Sequence, residues 1–353
     1  MRLFQTISLT RSFLEVYARL PLSVVSAKSK TAINRNLRML GMSMVYLVAD
    51  IGGTNTRVAL AQGTELLTET IQKFPNAEAP HLRDILSSYI STKGDISISA
   101  ACIAVAGPVH NGVAQMTNLD WLIQDHDIAS SLGIDKVGVI NDLQAQGYAL
   151  PYIDEADLSC LKQGKTPDYP ATRLVIGIGT GFNAAPAYVV GDTTLVPPAE
   201  AGHVRLPTSN DQERAIAAQV AGNNGFASVE HILSGRGVER LERYFDPTST
   251  RSAAEVLAAA QNGDSVAQQV VTQFARFAGS VAGDLALTVL PFGGIYLIGG
   301  VARAMSPYMD DSNFNAAFVD KDRFAEFNAQ FPVHVVHDDF AALRGCSGYA
   351  EGL

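Results

Sequence analysis

The stretch VYLVADIGGTNTRVALA, Val45 to Ala61, decides the fold prediction. An apolar segment runs into Asp50, two glycines follow, and apolar residues return after Asn55. β-Branched and aromatic residues on both sides of a glycine turn predict two strands, at 45–49 and 56–61. A carboxylate at the end of a buried strand costs free energy unless it has a partner, so Asp50 is a candidate functional residue.

Further along the chain, apolar runs of strand character alternate with segments of helical periodicity, which indicates an α/β protein. We expect strands at 98–107, 136–140, 173–181 and 293–301, and helices at 81–90, 127–133, 211–221, 238–245, 253–264 and 265–290. The segments 47–61 and 174–188 share the plan strand, glycine turn, strand. This echo suggests two similar halves with a cleft between them, although unrelated hairpins also look alike.

Composition excludes several classes of protein. The 353 residues are 47% hydrophobic and 17% charged, which is ordinary for a globular chain, and the length favours two domains. A net charge of −9 argues against a nucleic-acid partner. No run of about 18 apolar residues lacks a polar interruption, so we expect no membrane span. The cysteines Cys102, Cys160 and Cys346 lie far apart, which favours a reducing, cytoplasmic location without a disulfide framework or zinc site.

The first 43 residues differ from the rest of the chain. They hold seven bases and one acid, whereas the remaining residues hold 19 bases and 34 acids. This Ser- and Arg-rich composition fits a transit peptide, which would place the protein in an organelle. It also fits a disordered extension, or a start at Met42 or Met44. In each case we expect the fold to begin near residue 44.

Four predicted strands end in unusual residues. These ends are Asp50 to Thr54, Asn141-Asp142, Gly177 to Gly181, and Gly299-Gly300. In open α/β sheets, ligands bind beyond the carboxyl ends of the strands, so the four ends together predict a shared crevice. Any one of them, taken alone, reads equally well as a tight turn.

The glycine turns suit phosphate groups. Glycine lets backbone approach a ligand closely, and turned backbone N–H groups attract anions. We therefore expect Gly52, Gly53 and Thr54, and likewise Gly179, Thr180 and Gly181, to contact a polyphosphate. Gly299 and Gly300 would let a flat base lie against the backbone. Asp50, beside the first turn, fits a magnesium ligand acting through water, or else a turn-capping aspartate.

Two further groups suit a polyhydroxylated ligand. Asn141 and Asp142 together can orient and deprotonate one alcohol, although an Asx turn explains them as well. Glu200 and His203 stand in a Pro- and Gly-rich loop, and Glu230 follows the predicted N-cap Ser228. A glutamate in the first turn is often only a partner of the helix dipole. With the other residues, however, it completes a set of carboxylates that can accept sugar hydroxyls.

The motifs resemble those of bacterial glucokinases, which are sugar kinases of the actin-like ATPase superfamily. The shared motifs are DIGGTN (50–55), MTNLDW (116–121), INDL (140–143), GTGF (179–182), EAGHV (200–204), VEHILSGRG (229–237), GGIYLIGGV (293–301) and FNAAFVDKDRF (314–324). The resemblance runs from about Val45 to His337. The chain lacks the cysteine-rich zinc motif of the ROK branch, so it is more similar to the zinc-free branch.

The resemblance implies ATP-dependent phosphorylation of glucose at the 6-hydroxyl, the first step of glycolysis. By position, Asp142 resembles the catalytic base, and Asn141, Glu200, His203 and Glu230 resemble sugar contacts. Gly52 to Asn55 and Gly179 to Gly181 resemble the phosphate loops, with Gly299 and Gly300 at adenosine and Mg²⁺ as the metal.

The implied fold has two ribonuclease-H-like domains around a central cleft. We expect one domain at 44–151 plus 337–353, the other at 152–336, and a homodimer. Two departures from the family pattern are Ala201, where EGGH is usual, and Asn183, where GTGLG is common. They leave open a related hexose kinase of other sugar or donor specificity, such as polyphosphate. A non-catalytic sugar sensor is a further alternative.

Overall fold

The computed structural model describes residues 44–116 and 119–353. The strands are β1 (Val45–Ile51), β2 (Asn55–Gln62), β3 (Glu65–Pro75), β4 (Ala100–Val105), β5 (Val109–His110), β6 (Val113–Gln115), β7 (Leu122–Gln124), β8 (Val137–Asn141), β9 (Leu158–Lys162), β10 (Arg173–Ile178), β11 (Phe182–Val190), β12 (Thr193–Leu195), β13 (Ile295–Ile298) and β14 (Val333–Val336). The predictions for the first 43 residues lie outside this described part.

The described residues also form helices. They are α1 (Leu82–Ser91), α2 (Asp125–Leu132), α3 (Asp142–Ala149), α4 (Asp211–Ala221), α5 (Gly235–Phe245), α6 (Ala253–Gln261), α7 (Ser265–Val289), α8 (Gly300–Met305), α9 (Ala316–Val319), α10 (Ala325–Ala329) and α11 (Ala341–Ala350). Single 3₁₀ turns at Ala201–His203 and Val229–His231 carry residues of the candidate site. Within the described ranges, no helix is both long and apolar enough to cross a bilayer.

Two sheets repeat one topology. The first has the order β3-β2-β1-β4-β8 and the second β12-β11-β10-β13-β14-β9. In each sheet a hairpin pairs antiparallel strands, and the first strand of that hairpin also pairs in parallel with a later strand. The predicted echo between 47–61 and 174–188 is thereby confirmed, because these segments form the two corresponding hairpins.

Most predicted elements are present, with shifted ends. The strand expected at 98–107 is confined to Ala100–Val105, and the helix expected at 238–245 begins earlier, at Gly235. The sequence patterns did not predict β3, whose outer, largely polar surface lacks a clear alternation. They also missed α3. Its sequence DLQAQGYA has no apolar stripe of helical period, because the helix is covered on several sides.

Helices α3 and α11 form a layer between the two sheets. Helix α11 packs against β1 and β4 of the first sheet, and α3 packs against β10 and β11 of the second. Each helix also packs against the other. Gly345 makes this approach possible, because a Cβ atom there would lie 1.6 Å from the carbonyl oxygen of Ala145.

Contact between these two helices joins the two halves. Val45–Leu353 accordingly form one compact unit, and the C-terminal helix lies on the N-terminal sheet. The domain boundaries expected near residues 151 and 337 stay a prediction.

We predict that Gly345→Ala destabilises the protein. Alanine normally favours a helix by about 1 kcal/mol over glycine, but the methyl group would overlap α3 and cost about 1–3 kcal/mol. Urea unfolding measures the difference. Gly235→Ala is the matched control, since its Cβ would meet only atoms 3.8 and 3.9 Å away. A Gly345→Ala protein as stable as the control protein would contradict this account of the contact.

Candidate functional site

Parallel pairing brings the first group of candidates to one edge of the first sheet. Asp50 of β1 pairs with Ala104 of β4, and the next residue of β4, Val105, pairs with Asn141 of β8. Asn141 ends its strand and Asp142 is the first residue of α3. Asp50 and Asp142 therefore lie at the same carboxyl edge of the sheet. The sequence analysis predicted this from the residues at the ends of the strands.

Asp142 has an unusual acidity. Burial raises its pKa to about 6, and the negative charges of Asp50 and Glu200 act in the same direction. The backbone N–H of Leu143 donates to Oδ1 of Asp142 at 2.9 Å and lowers the pKa, but by less than burial raises it. A carboxyl group with a pKa near neutrality is suited to accept a proton.

The side-chain amide of Asn141 already makes hydrogen bonds within the protein. Its Oδ1 accepts from the backbone N–H of Leu143 at 2.9 Å, so it caps α3. Its Nδ2 donates to the carbonyl oxygen of Gly107 at 2.8 Å. Gln144 completes this N-cap, because its Oε1 accepts from the backbone N–H of Asn141 at 3.1 Å. The amide thus orients the start of the helix that carries Asp142.

Asp50 has a cationic neighbour that the sequence reading missed. Arg57 stands directly opposite Asp50 in the β1–β2 pair, and the ion pair measures 3.8 Å. Burial raises the pKa of Asp50, while the charge of Arg57 lowers it by less. The pairing could have been found from the sequence, because a hairpin turning at 52–55 places these two residues opposite each other.

Asp50 suits a magnesium ion that is held mainly by water and by phosphate oxygens, with few ligands from the protein. Among the described residues, no three His, Cys, Asp or Glu side chains cluster closely enough to hold a metal by themselves. Mg²⁺ often keeps several waters and takes one or two carboxylates together with substrate phosphates. Asp50, a single acid beside the first glycine turn, fits this mode of binding.

The turn from Gly52 to Asn55 is held by Asn76, which the sequence reading also missed. The Asn76 side chain is buried and donates from Nδ2 to the carbonyl oxygen of Gly52 at 2.8 Å. Its Oδ1 accepts from the hydroxyl of Thr56 at 2.8 Å, and its backbone N–H donates to the Thr54 carbonyl at 2.9 Å. These bonds fix the backbone while leaving Gly53 and Thr54 exposed.

The second glycine turn shapes the place of Glu230. A Cβ atom on Gly181 would lie 2.5 Å from Oε2 of Glu230, so glycine makes room for the carboxylate. The same oxygen accepts from the backbone N–H of Phe182 at 3.0 Å. Arg236 lies 3.9 Å from the other carboxylate oxygen. The structure therefore brings Glu230 together with the turn from Gly179 to Gly181.

The remaining backbone candidates adjoin this turn. The N–H of Gly235, at the start of α5, donates to the Gly179 carbonyl oxygen at 2.9 Å. Gly299 follows β13, which pairs in parallel with β10, and Gly300 begins α8. Thr180 and Gly300 are exposed. The second turn and the Gly299-Gly300 pair thus share the carboxyl edge of the second sheet.

Glu200 and His203 lie on a loop that runs beside Glu230. Nε2 of His203 is 3.9 Å from Oε2 of Glu200, and both side chains are more than half exposed, at 65% and 54%. An isolated antiparallel bridge joins Arg205 to Ser228, so the loop is aligned with the 3₁₀ turn that carries Glu230. The predicted cap Ser228 stands at the start of that turn.

Two amide side chains are hydrogen-bonded to the segment from Val196 to Ala201 of this loop. Gln144 of α3 donates from Nε2 to the Val196 carbonyl oxygen at 2.8 Å. Asn183 of β11 accepts from the N–H of Ala201 at 2.9 Å and donates to the Ala199 carbonyl at 2.6 Å. The two departures from the family pattern, Asn183 and Ala201, are therefore in direct contact. The side chain of Asn183 is hydrogen-bonded to the Glu200 loop.

The repeated sheets and the acids, amides and glycine turns at their edges define an α/β sugar kinase of the actin-like ATPase fold. It has two ribonuclease-H-like domains around a central cleft. A crystal structure of glucokinase from an Antarctic psychrotroph is 30% identical, with a TM-score of 0.80 over 88% of this chain and 99% of that one. A ROK family glucokinase from Streptomyces griseus, solved with glucose and AMPPNP, shares the fold at 19% identity and a TM-score of 0.59, covering 87% of this chain and 99% of that one.

Sequence comparison identifies the family within this class of sugar kinases. The glucokinase family model matches residues 47–352. The glucokinase of Saccharophagus degradans is 32% identical over 317 residues, which cover 87% of this chain and 98% of that protein. The chain belongs to the glucokinase family.

We predict that Asn76→Ala weakens the first glycine turn. The Gly52 carbonyl and the Thr56 hydroxyl would lose their partner, which should lower the unfolding free energy by about 1–3 kcal/mol. Urea unfolding measures the loss, and hydrogen exchange of a peptide covering 50–60 should be faster. Asn262→Ala is a matched control, because that exposed amide makes one bond, to the Ala258 carbonyl. Unchanged exchange in the turn would refute the role of Asn76.

Proposed function

We propose that this protein transfers the γ-phosphoryl group of ATP to the 6-hydroxyl of glucose, as an ATP:D-glucose 6-phosphotransferase. The family assignment supports this reaction, and so do the ligands glucose and AMPPNP in the Streptomyces griseus structure. The observation that carries the proposal is Asp142. It combines a pKa raised to about 6 with a place at the start of α3, on the sheet edge where β1 brings Asp50.

Asp142 acts as the general base. A carboxylate oxygen accepts the proton of the 6-hydroxyl as the sugar oxygen forms a bond to the γ-phosphorus. The bond from that phosphorus to the bridging oxygen breaks, and ADP leaves. Catalysis of this kind depends mainly on positioning and charge stabilisation. Protein around Asp142 also limits the access of water, which would compete with the sugar as acceptor.

The carboxylates and amide around Asp142 hold the sugar. Glu200, His203 and Glu230 present acceptors and a ring nitrogen to glucose hydroxyls, and Asn141 offers its remaining amide N–H. One oxygen of Glu230 already accepts from Phe182, so that carboxylate reaches the sugar in a fixed orientation. Rigid groups of this kind lose little entropy when they bind.

The glycine turns hold the nucleotide. Gly52 to Asn55 and Gly179 to Gly181 face the phosphates, and Gly299 and Gly300 contact adenosine. Asp50 would hold Mg²⁺ through water. When bound, the ion neutralises charge on the phosphates.

Other finer assignments belong to the same proposal. We place the enzyme in the cytoplasm as a homodimer, with domains at 44–151 plus 337–353 and at 152–336. Strand β14 belongs to the second sheet, whereas α11, which follows it in the chain, packs on the first sheet. This return of the chain supports the division.

Asp142→Asn tests the base. We expect kcat to fall at least about 100-fold, the low end for a general base, while the Kd for glucose changes little. A coupled assay gives kcat, and calorimetry gives the Kd. Asn262→Ala serves as the surface control and should match the wild type. Near wild-type kcat in Asp142→Asn would exclude the base role.

The pH dependence follows from the pKa of Asp142, which is raised to about 6. Only the carboxylate can accept a proton, so kcat/KM for glucose should fall tenfold per pH unit below about pH 6 and be level above about pH 7. An initial-rate profile with excess coupling enzymes measures this limb. A profile that stays level down to about pH 5 would contradict the assignment, because kcat/KM reports the free enzyme.

A further inference from the structure

We infer that Asn183 is a positioning residue that sets glucose affinity and sugar selectivity by fixing the backbone on both sides of Glu200. The inference rests on the proposed function, since it assigns a role within the sugar site. Asn183 itself touches neither substrate in this account. Its effect passes through the loop that carries Glu200 and His203.

The hydrogen bonds of Asn183 enclose Glu200. The carbonyl of Ala199 immediately precedes Glu200 and accepts from Nδ2 of Asn183 at 2.6 Å. The N–H of Ala201 immediately follows Glu200 and donates to Oδ1 of Asn183 at 2.9 Å. One side chain therefore holds the two peptide groups that determine the direction of the Glu200 side chain.

Only an amide satisfies this environment. Oδ1 accepts a second bond, from the N–H of Ala184 at 2.8 Å, while Nδ2 faces a carbonyl. Two donors and one acceptor thus surround the group, and asparagine supplies both kinds of partner. An aspartate would keep the two accepted bonds but would place a negative oxygen against the Ala199 carbonyl.

The direction of the Glu200 side chain depends on its backbone, because about half of that side chain is exposed. The Glu200 side chain is 54% exposed, and its backbone, at φ −129° and ψ 55°, belongs to neither helix nor strand. Asn183, in contrast, lies on β11, where Gly177 pairs with it across the hairpin. The hydrogen bonds of Asn183 to Ala199 and Ala201 therefore connect Glu200, the proposed sugar contact, to a strand. Binding groups are commonly pre-organised in this way.

The position also links the two substrates' sites. Phe182, which donates to Glu230, is the residue before Asn183, and the turn from Gly179 to Gly181 precedes both. A nucleotide role for Asn183 would require its amide to face that turn. The amide instead makes three bonds with Ala184 and the loop from Ala199 to Ala201.

Asn183→Ala is the direct test, measured by steady-state kinetics with glucose, mannose and galactose. Loss of the two loop bonds should raise the KM for glucose about 5- to 30-fold, at about 1 kcal/mol per neutral bond. The KM for ATP should stay within about twofold. The ratio of kcat/KM for glucose to that for mannose or galactose should fall, because Glu200 no longer has one orientation.

Asn183→Asp and Asn262→Ala complete the design. The aspartate variant keeps the bonds from Ala184 and Ala201, so its KM for glucose should lie between those of wild type and Asn183→Ala. Asn262→Ala should match the wild type. Urea unfolding of each variant separates a local effect from loss of fold, and calorimetry of glucose binding gives the affinity independently of turnover.

The outcomes separate the two proposals. A wild type that does not phosphorylate glucose overturns the proposed function. An active wild type whose Asn183→Ala variant keeps its KM for glucose and its sugar preference overturns only the role of Asn183. A rise in the KM for ATP without a rise for glucose also overturns it, because the residue then serves the nucleotide.

Discussion

The close packing of α3 against α11 is the contact on which the rest of the structure depends. Gly345 lets the carbonyl of Ala145 approach to a distance that any side chain would block. Because α11 lies on the first sheet and α3 on the second, this one contact sets the separation of the two halves. It also fixes α3, whose first residue is Asp142.

The electrostatics of the site follow from that placement. A carboxylate at a helix N-terminus is ordinarily stabilised by the helix dipole. At Asp142, burial and the nearby acids Asp50 and Glu200 outweigh this stabilisation, and the pKa rises to about 6. The acids come from different elements, β1 and the loop before Ala201, so only the assembled fold creates the effect. A group tuned in this way is suited to accept a proton near neutral pH.

The sequence predicted the parts of the fold that depend on local pattern. Apolar runs and glycine turns gave both hairpins, and the strand ends pointed to one ligand edge. Helix α3 was missed because its character depends on tertiary cover rather than on a periodic apolar face. The long-range hydrogen bonds of Asn76 and Asn183 were hidden for a similar reason. Their partners, Gly52 and Ala201, lie 24 and 18 residues away, and no local signal joins them.

Gly181 is another residue whose long-range contact the local sequence does not reveal. The sequence assigned Gly181 to a phosphate turn, and the structure adds that it makes room for Glu230. The turn from Gly179 to Gly181 and the Glu230 carboxylate therefore lie next to each other. The assignment of individual residues to the two substrates stays a prediction.

The central claim is that these residues select glucose and ATP together. The most direct measurement compares initial rates for glucose, mannose and fructose with ATP or polyphosphate as donor, and includes ATP hydrolysis without sugar. The account predicts that glucose with ATP gives the highest kcat/KM and that ATP alone is hydrolysed slowly. A higher kcat/KM for another hexose or for polyphosphate, or no phosphorylation of glucose, would contradict it.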